Sequence, residues 1–200
     1  MINYKFYYFG PHLFHTKLSP LFCNELFKRG GNKLVNCSEN LAGHFNTEYY
    51  FTDDDITFFK DSLSVDVIPT FLNSANNFYN TSAISNFKDI KLEQMWINFM
   101  KKGDFNPVHT HSHDLSFVLY LKVPKELKEE NEKYHGTDET AGPGGIAFMW
   151  GEPQDGFIHT KSLLPEEGDL FIFPALLRHM VYPFKSNVER VSVAGNMTLI

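Results

Sequence analysis

Apolar positions in this chain recur with two different spacings, one on each side of residue 90. Before that point they fall three and four apart, the spacing of one helix face. Leu21, Phe22 and Leu26 form one such stripe. Ser19-Pro20 supplies its cap and first-turn residue, and Gly30-Gly31-Asn32 its stop. A second stripe, Ile56, Phe58, Phe59 and Leu63, follows Asp53-Asp54-Asp55, whose carboxylates suit the positive end of a helix dipole. Pro69 interrupts the pattern, so a third helix is expected from Thr70 through Phe78 and Tyr79.

From Lys91 onward the runs become short and extended. Strands are predicted over residues 92–100, 115–123, 146–150, 157–162, 170–173 and 191–197. Turn signals separate them, the clearest being Glu166-Glu167-Gly168-Asp169, and such a series points to a sandwich or a barrel. Residues 125–145 are charged and end in Ala-Gly-Pro-Gly-Gly, which reads as an exposed insertion bordering a site, with a short helix at 124–132. The 200 residues fit one domain: a helix-rich part, 1–90, packed on a strand-rich core, 91–200. No repeat or low-complexity tract interrupts it.

Composition narrows the setting. A net charge of −6 and a pI near 5.8 argue against a broad footprint for nucleic acid or anionic membrane. No apolar stretch is long enough to span a bilayer, and Met1-Ile-Asn-Tyr-Lys-Phe lacks a signal-peptide pattern. Cys23 and Cys37, the only cysteines, then read as reduced thiols in a cytoplasmic protein. The same reading admits action in the cytoplasm of a host, and abundant Asn, Lys and Phe match an AT-rich genome.

The chemistry concentrates in Asn106-Pro-Val-His109-Thr-His111-Ser-His113-Asp114, directly before the strand at 115–123. Alternate residues of an extended chain share a side, and neutral imidazole is the commonest protein metal ligand. A fourth histidine, His179, follows the strand ending Phe173-Pro174, and Arg190-Val191-Ser192 begins after ten intervening residues. His12, His15, His44, His135 and His159 lack any such spacing.

This ordered set resembles the 2-oxoglutarate and Fe(II)-dependent oxygenase superfamily, and its prolyl-hydroxylase-like branch in particular. The resemblance covers residues 91–200 and rests on Gly103 separated from His109 by five residues, Leu119-Tyr120-Leu121, Gly168-Asp-Leu before Phe173-Pro174, His179 and the Arg190-x-Ser192 pair. The chain also resembles oxygenase-like proteins of tailed phages. The resemblance implies a mainly β fold with flanking helices, whose core is a double-stranded β-helix (a cupin-like jelly roll). It further implies Fe(II), with 2-oxoglutarate and O2 as co-substrates, and release of succinate and CO2 as a substrate is hydroxylated.

Residue by residue, it implies metal ligands at His109 and His179. Family members place Asp or Glu where this chain has His111. Three arrangements follow, in order of preference: a three-histidine site of His109, His111 and His179; Asp114 reaching back as the carboxylate; or ligands displaced to His111 and His113. Arg190 would meet the distal carboxylate of 2-oxoglutarate with two parallel hydrogen bonds, and Ser192 and Tyr120 would add hydroxyls. Asn98 and Asn196 would face the co-substrate or the substrate, and sheet packing explains them equally well. The competing readings are a cupin-like metalloenzyme that does not use 2-oxoglutarate and a non-catalytic virion jelly roll. The primary substrate is left open among an amino acid, a protein side chain and a nucleotide.

Overall fold

Alternation of inward and outward side chains builds two facing sheets. The computed structural model describes residues 10–31, 35–44, 47–79, 87–134, 141–151 and 159–200. Its strands are β1 (Phe14–Lys17), β2 (Val35–Asn36), β3 (Glu48–Tyr50), β4 (Ile90–Met100), β5 (Asn106–His109), β6 (Leu115–Lys122), β7 (Ile146–Trp150), β8 (His159–Leu163), β9 (Asp169–Pro174), β10 (Arg178–Val181) and β11 (Arg190–Leu199). The larger sheet runs β1-β9-β6-β11-β4-β3-β2 and the smaller β5-β10-β7-β8. Every described pairing is antiparallel. The core is mainly β, with helices flanking it, and the jelly-roll expectation holds.

Period two splits the larger sheet into an outer and an inner face. Ile97, Phe117, Leu119, Leu170 and Val193 point outward and pack with Leu26, Phe59, Leu63 and Phe71. Those four come from α1 (Pro20–Gly30), α2 (Asp53–Ser64) and α3 (Val67–Tyr79). Met100, Val118, Tyr120 and Phe173 point inward against Ile146, Phe148 and Val181 of the smaller sheet. The site lies on this inner face.

Gly195 makes the outer packing possible. It sits opposite Phe117 across β11 and β6, and a Cβ there would overlap the Phe117 ring and the Gln94 carbonyl. The ring packs against the glycine and stacks on Phe59 of α2, centroids 4.9 Å apart. Gly195→Ala is therefore expected to destabilise the fold by about 1–3 kcal/mol, read as a lower urea midpoint at unchanged m-value.

The helices start where the sequence places their caps. Ser19 Oγ accepts from the Phe22 N–H, and Thr52 with Asp55 forms a capping box. The third helix differs from its expectation, since α3 begins at Val67 and takes in Pro69. A proline in the first turn removes an N–H that has no intrahelical acceptor anyway, so it does not break the helix. The helix expected at 124–132 is α4 (Lys125–Glu132). Of the strand expected at 157–162, residues 157 and 158 lie outside the described residues, and β8 continues to Leu163.

The N-terminal part also does more than cover a face. Its β1 pairs with β9, and its β3 pairs with β4, so it contributes edge strands to the larger sheet. No described helix is long and apolar enough to cross a membrane.

Candidate metal centre and co-substrate pocket

The histidines are gathered by one strand pair and one loop. β5 runs antiparallel to β10, with His109 directly opposite His179. His111 lies just past β5, where its N–H donates to the Ala175 carbonyl at 2.8 Å. The Ala175 N–H returns a bond to the Asp114 carbonyl at 3.0 Å, tying the loop to the end of β9. Ring centroids are 4.2 Å apart for His109 and His179, 5.0 Å for His109 and His111, and 5.2 Å for His111 and His179.

One nitrogen from each ring lies within 4.8 Å of the others. Nitrogens sharing one ion through bonds of about 2.1 Å lie at most about 4.2 Å apart, so small ring rotations bring these three together. Backbone carbonyls already orient two of them. His109 Nδ1 is 2.8 Å from Pro107 O and His179 Nδ1 2.8 Å from Leu177 O. A carbonyl only accepts, so each Nδ1 carries the hydrogen and each Nε2 keeps its lone pair. Burial holds His179 down to about 3 and His111 down to about 4, with neighbouring imidazoles adding to both. It lowers His109 as well, against the pull of the Pro107 carbonyl. Neutral imidazole is the ligating form.

Asp114 is not brought into this group. Its Oδ2 accepts from the Leu199 N–H at 3.0 Å, and its backbone is bonded to Met197 and Ala175. His113 is exposed, with φ of 76°, and turns away after Ser112. The cluster among the described residues is thus three imidazoles without a carboxylate.

Behind it lies Arg190, the first residue of β11 and 2 % exposed. Its Nη1 donates to Gly144 O at 2.6 Å, its Nε finds no acceptor, and no ion pair is formed among the described residues. The guanidinium carbon sits 5.2 Å from the centre of the Tyr120 ring. Tyr120 is fully buried, and its hydroxyl has no hydrogen-bond partner. Burial depresses Arg190 and raises Tyr120 to about 12, so the pair stays a cation beside a neutral phenol at neutral pH. An unpaired buried cation costs several kcal/mol, and an anion in the pocket would remove that cost. The lining fits a carboxylate.

Ser192 lies opposite Tyr120 on one side and Asn98 on the other, and Asn98 Nδ2 donates to Ser192 Oγ at 3.4 Å. Glu48 is the Cα partner of Asn98, completing a row Glu48–Asn98–Ser192–Tyr120 across four strands. His109, His111, His179, Arg190, Ser192, Tyr120, Asn98 and Asn106 all line one cavity of about 50 Å³. Asn196, the other candidate asparagine, instead accepts from Ser116 Oγ at 3.0 Å, away from that cavity. Asn106 was not foreseen as a lining residue. It stands three positions before His109, which in a regular strand puts it on the opposite face. The register shift between His179 and Val181 brings both to one side.

Glu48 has a consequence for stability. Burial, with the charge of Asp104, holds its carboxyl up to about 7. A raised acid favours the folded state only while protonated. Its contribution is complete below about 4.5 and is lost as pH rises through about 7, a swing of roughly 3 kcal/mol at about 1.4 kcal/mol per unit. Denaturation midpoints at pH 5 and pH 8 should differ less in Glu48→Gln than in the natural protein.

Fold and pocket together define a jelly-roll protein with a histidine cluster and an anion-ready arginine in one cavity. Residues 94–196, just over half of the chain, match the family described as "Putative 2OG-Fe(II) oxygenase", and the chain belongs to that family. It is an oxidoreductase of the Fe(II) and 2-oxoglutarate-dependent class, with O2 as the further co-substrate. Among solved structures it is similar to a viral collagen prolyl hydroxylase of Paramecium Bursaria Chlorella virus-1 in its 2OG complex. That pair has 15 % identity, a TM-score of 0.57, and covers 94 % of this chain and 96 % of the other. A Pseudomonas putida prolyl-4-hydroxylase has 15 % identity, a TM-score of 0.54 and coverage of 94 % and 91 %. HygX from Streptomyces hygroscopicus, with nickel and 2-oxoglutarate bound, has 10 % identity, a TM-score of 0.57 and coverage of 93 % and 82 %. No curated protein sequence matches this chain.

Proposed function

We propose that His109, His111 and His179 hold the Fe(II) and that Arg190, Ser192 and Tyr120 bind 2-oxoglutarate, in an enzyme that hydroxylates its substrate. The observation that carries this reading is the un-neutralised Arg190 guanidinium, buried in the same cavity as three neutral imidazoles. When bound, the iron supplies activation of O2 coupled to decarboxylation of 2-oxoglutarate to succinate and CO2.

The chain's own residues do the positioning. The Pro107 and Leu177 carbonyls fix the tautomers of His109 and His179, so both rings present Nε2 and need only small rotations to share an ion. Arg190 offers a flat fork of N–H donors to the distal carboxylate, one of them spent on Gly144 O, which holds the fork still. Tyr120 donates its free hydroxyl to the same carboxylate, and Ser192, steadied by Asn98, donates the third bond. Phe148 and Phe173 pack against His179 and keep water from that side.

The absent carboxylate leaves the three-imidazole set one negative charge short of the usual facial triad. Asp114 is committed to Leu199, which supports the neutral set over the alternative with Asp114 as ligand. We place the protein in a reducing compartment such as the cytoplasm, in keeping with Cys23 and Cys37 as buried free thiols. The test is aerobic incubation with 2-oxoglutarate. Succinate should form only when Fe(II) is added, and equal formation with and without iron would refute the reading.

A further inference from the structure

The cavity lining carries two unlike sets of unpaired polar atoms. Arg190 and Tyr120 supply donors. Asn98 Oδ1 and Asn106 Oδ1 are acceptors, both buried and both without a donor. Glu48 Oε2 is a third buried acceptor without a partner, on a residue 2 % exposed. Glu48 and Asn98 are direct cross-strand partners, so their side chains leave the same face of the sheet with Cβ atoms about 5 Å apart.

Among the described residues, no Lys or Arg forms an ion pair with Glu48 or with nearby Asp104. A buried acceptor left without a donor is destabilising, and two such acceptors lining a binding cavity, with a third on the cross-strand neighbour of one of them, are best balanced by a ligand that brings donors. We infer that Glu48, Asn98 and Asn106 receive a cationic nitrogen of the primary substrate, an ammonium or guanidinium as in a basic amino acid, free or within a peptide. This rests on the reading of the histidine and Arg190 pocket given above.

The arrangement separates the two ligands by charge. The co-substrate's carboxylate is drawn to Arg190, and a cationic substrate is drawn to the unpaired acceptors and repelled from Arg190. Asn106 shares β5 with His109, so a group held there lies beside the histidine cluster. Burial holds the lone Glu48 carboxyl up to about 7, so it is only partly ionised near neutral pH, and a cation beside it would favour the carboxylate.

The test uses the full chain with Fe(II), 2-oxoglutarate and O2, and reads succinate release as probes are added. L-arginine, L-lysine and the peptides acetyl-Gly-Arg-Gly-amide and acetyl-Gly-Lys-Gly-amide are compared with the neutral near-isosteres L-citrulline and L-norleucine. At least one cationic probe should raise release tenfold or more over the unprimed rate, with L-citrulline and L-norleucine inactive. Preference for the free amino acids or for the peptides identifies the source of the cation. In Glu48→Gln the KM for that probe should rise at least tenfold, with the 2-oxoglutarate Kd within twofold. Equal stimulation by cationic and neutral probes, no stimulation by any cationic probe, or an unchanged KM in Glu48→Gln would overturn the inference while unprimed release persists. Absence of iron-dependent release altogether would overturn the reading of the pocket, and this inference with it.

Discussion

His179→Ala is expected to abolish turnover and weaken Fe(II) binding by at least about a hundredfold. Disrupting groups that merely orient a metal ligand typically costs ten- to a hundredfold in affinity, and removing the ligand costs more. His179 sits where loss is least repairable. It is 5 % exposed, faces His109 across the strand pair, and has its Nδ1 committed to Leu177 O. His113 is exposed beyond a left-handed turn, and the Asp114 carboxylate is held by the Leu199 N–H, so neither is poised to substitute. The cavity left between Phe148 and Phe173 should cost about 1–3 kcal/mol of stability, which leaves a folded protein for the assay. Anaerobic Fe(II) titration checks this. Wild-type iron affinity in His179→Ala would remove that residue from the site.

Arg190→Met should give two effects of opposite sign. 2-Oxoglutarate affinity should fall about a hundredfold or more, because truncating one side of a buried charged hydrogen-bond pair costs about 2–5 kcal/mol. Fe(II) affinity should change little, since Arg190 is not among the clustered histidines. The ligand-free protein should be as stable as before or more so by about 1–3 kcal/mol, because the variant removes a buried cation whose Nε has no acceptor. A residue kept only for packing would not lose ligand affinity while gaining stability. Calorimetric titration of 2-oxoglutarate, paired with denaturation of the ligand-free chain, measures both.

What the sequence disclosed follows from what side-chain spacing encodes. Strands β4, β6, β9 and β11 were readable because each is six residues or longer and buried on both faces or alternating. β5 and β10 were not singled out as strands, being four residues each and rich in Pro, His and Arg. They nevertheless carry His109 and His179. The histidine and arginine spacing marked the candidate site because family resemblance depends on residue order, which short strands preserve. Two of its acceptors, Asn106 and Glu48, were hidden, each for its own reason. The bulge that turns Asn106 inward has no signature in residue type, and Glu48 enters the row through pairing between β3 and β4, roughly fifty residues apart in sequence. Pro69 shows the reverse case, where a recognised breaker falls in the first helical turn, which tolerates it.

The central claim is that Fe(II) and 2-oxoglutarate meet in this one cavity. Anaerobic addition of 2-oxoglutarate to the Fe(II)-loaded protein should produce a visible charge-transfer band that saturates at one equivalent. That band should be lost in His179→Ala and require far more 2-oxoglutarate in Arg190→Met. No band at saturating Fe(II) and 2-oxoglutarate, in protein shown to bind iron, would contradict it.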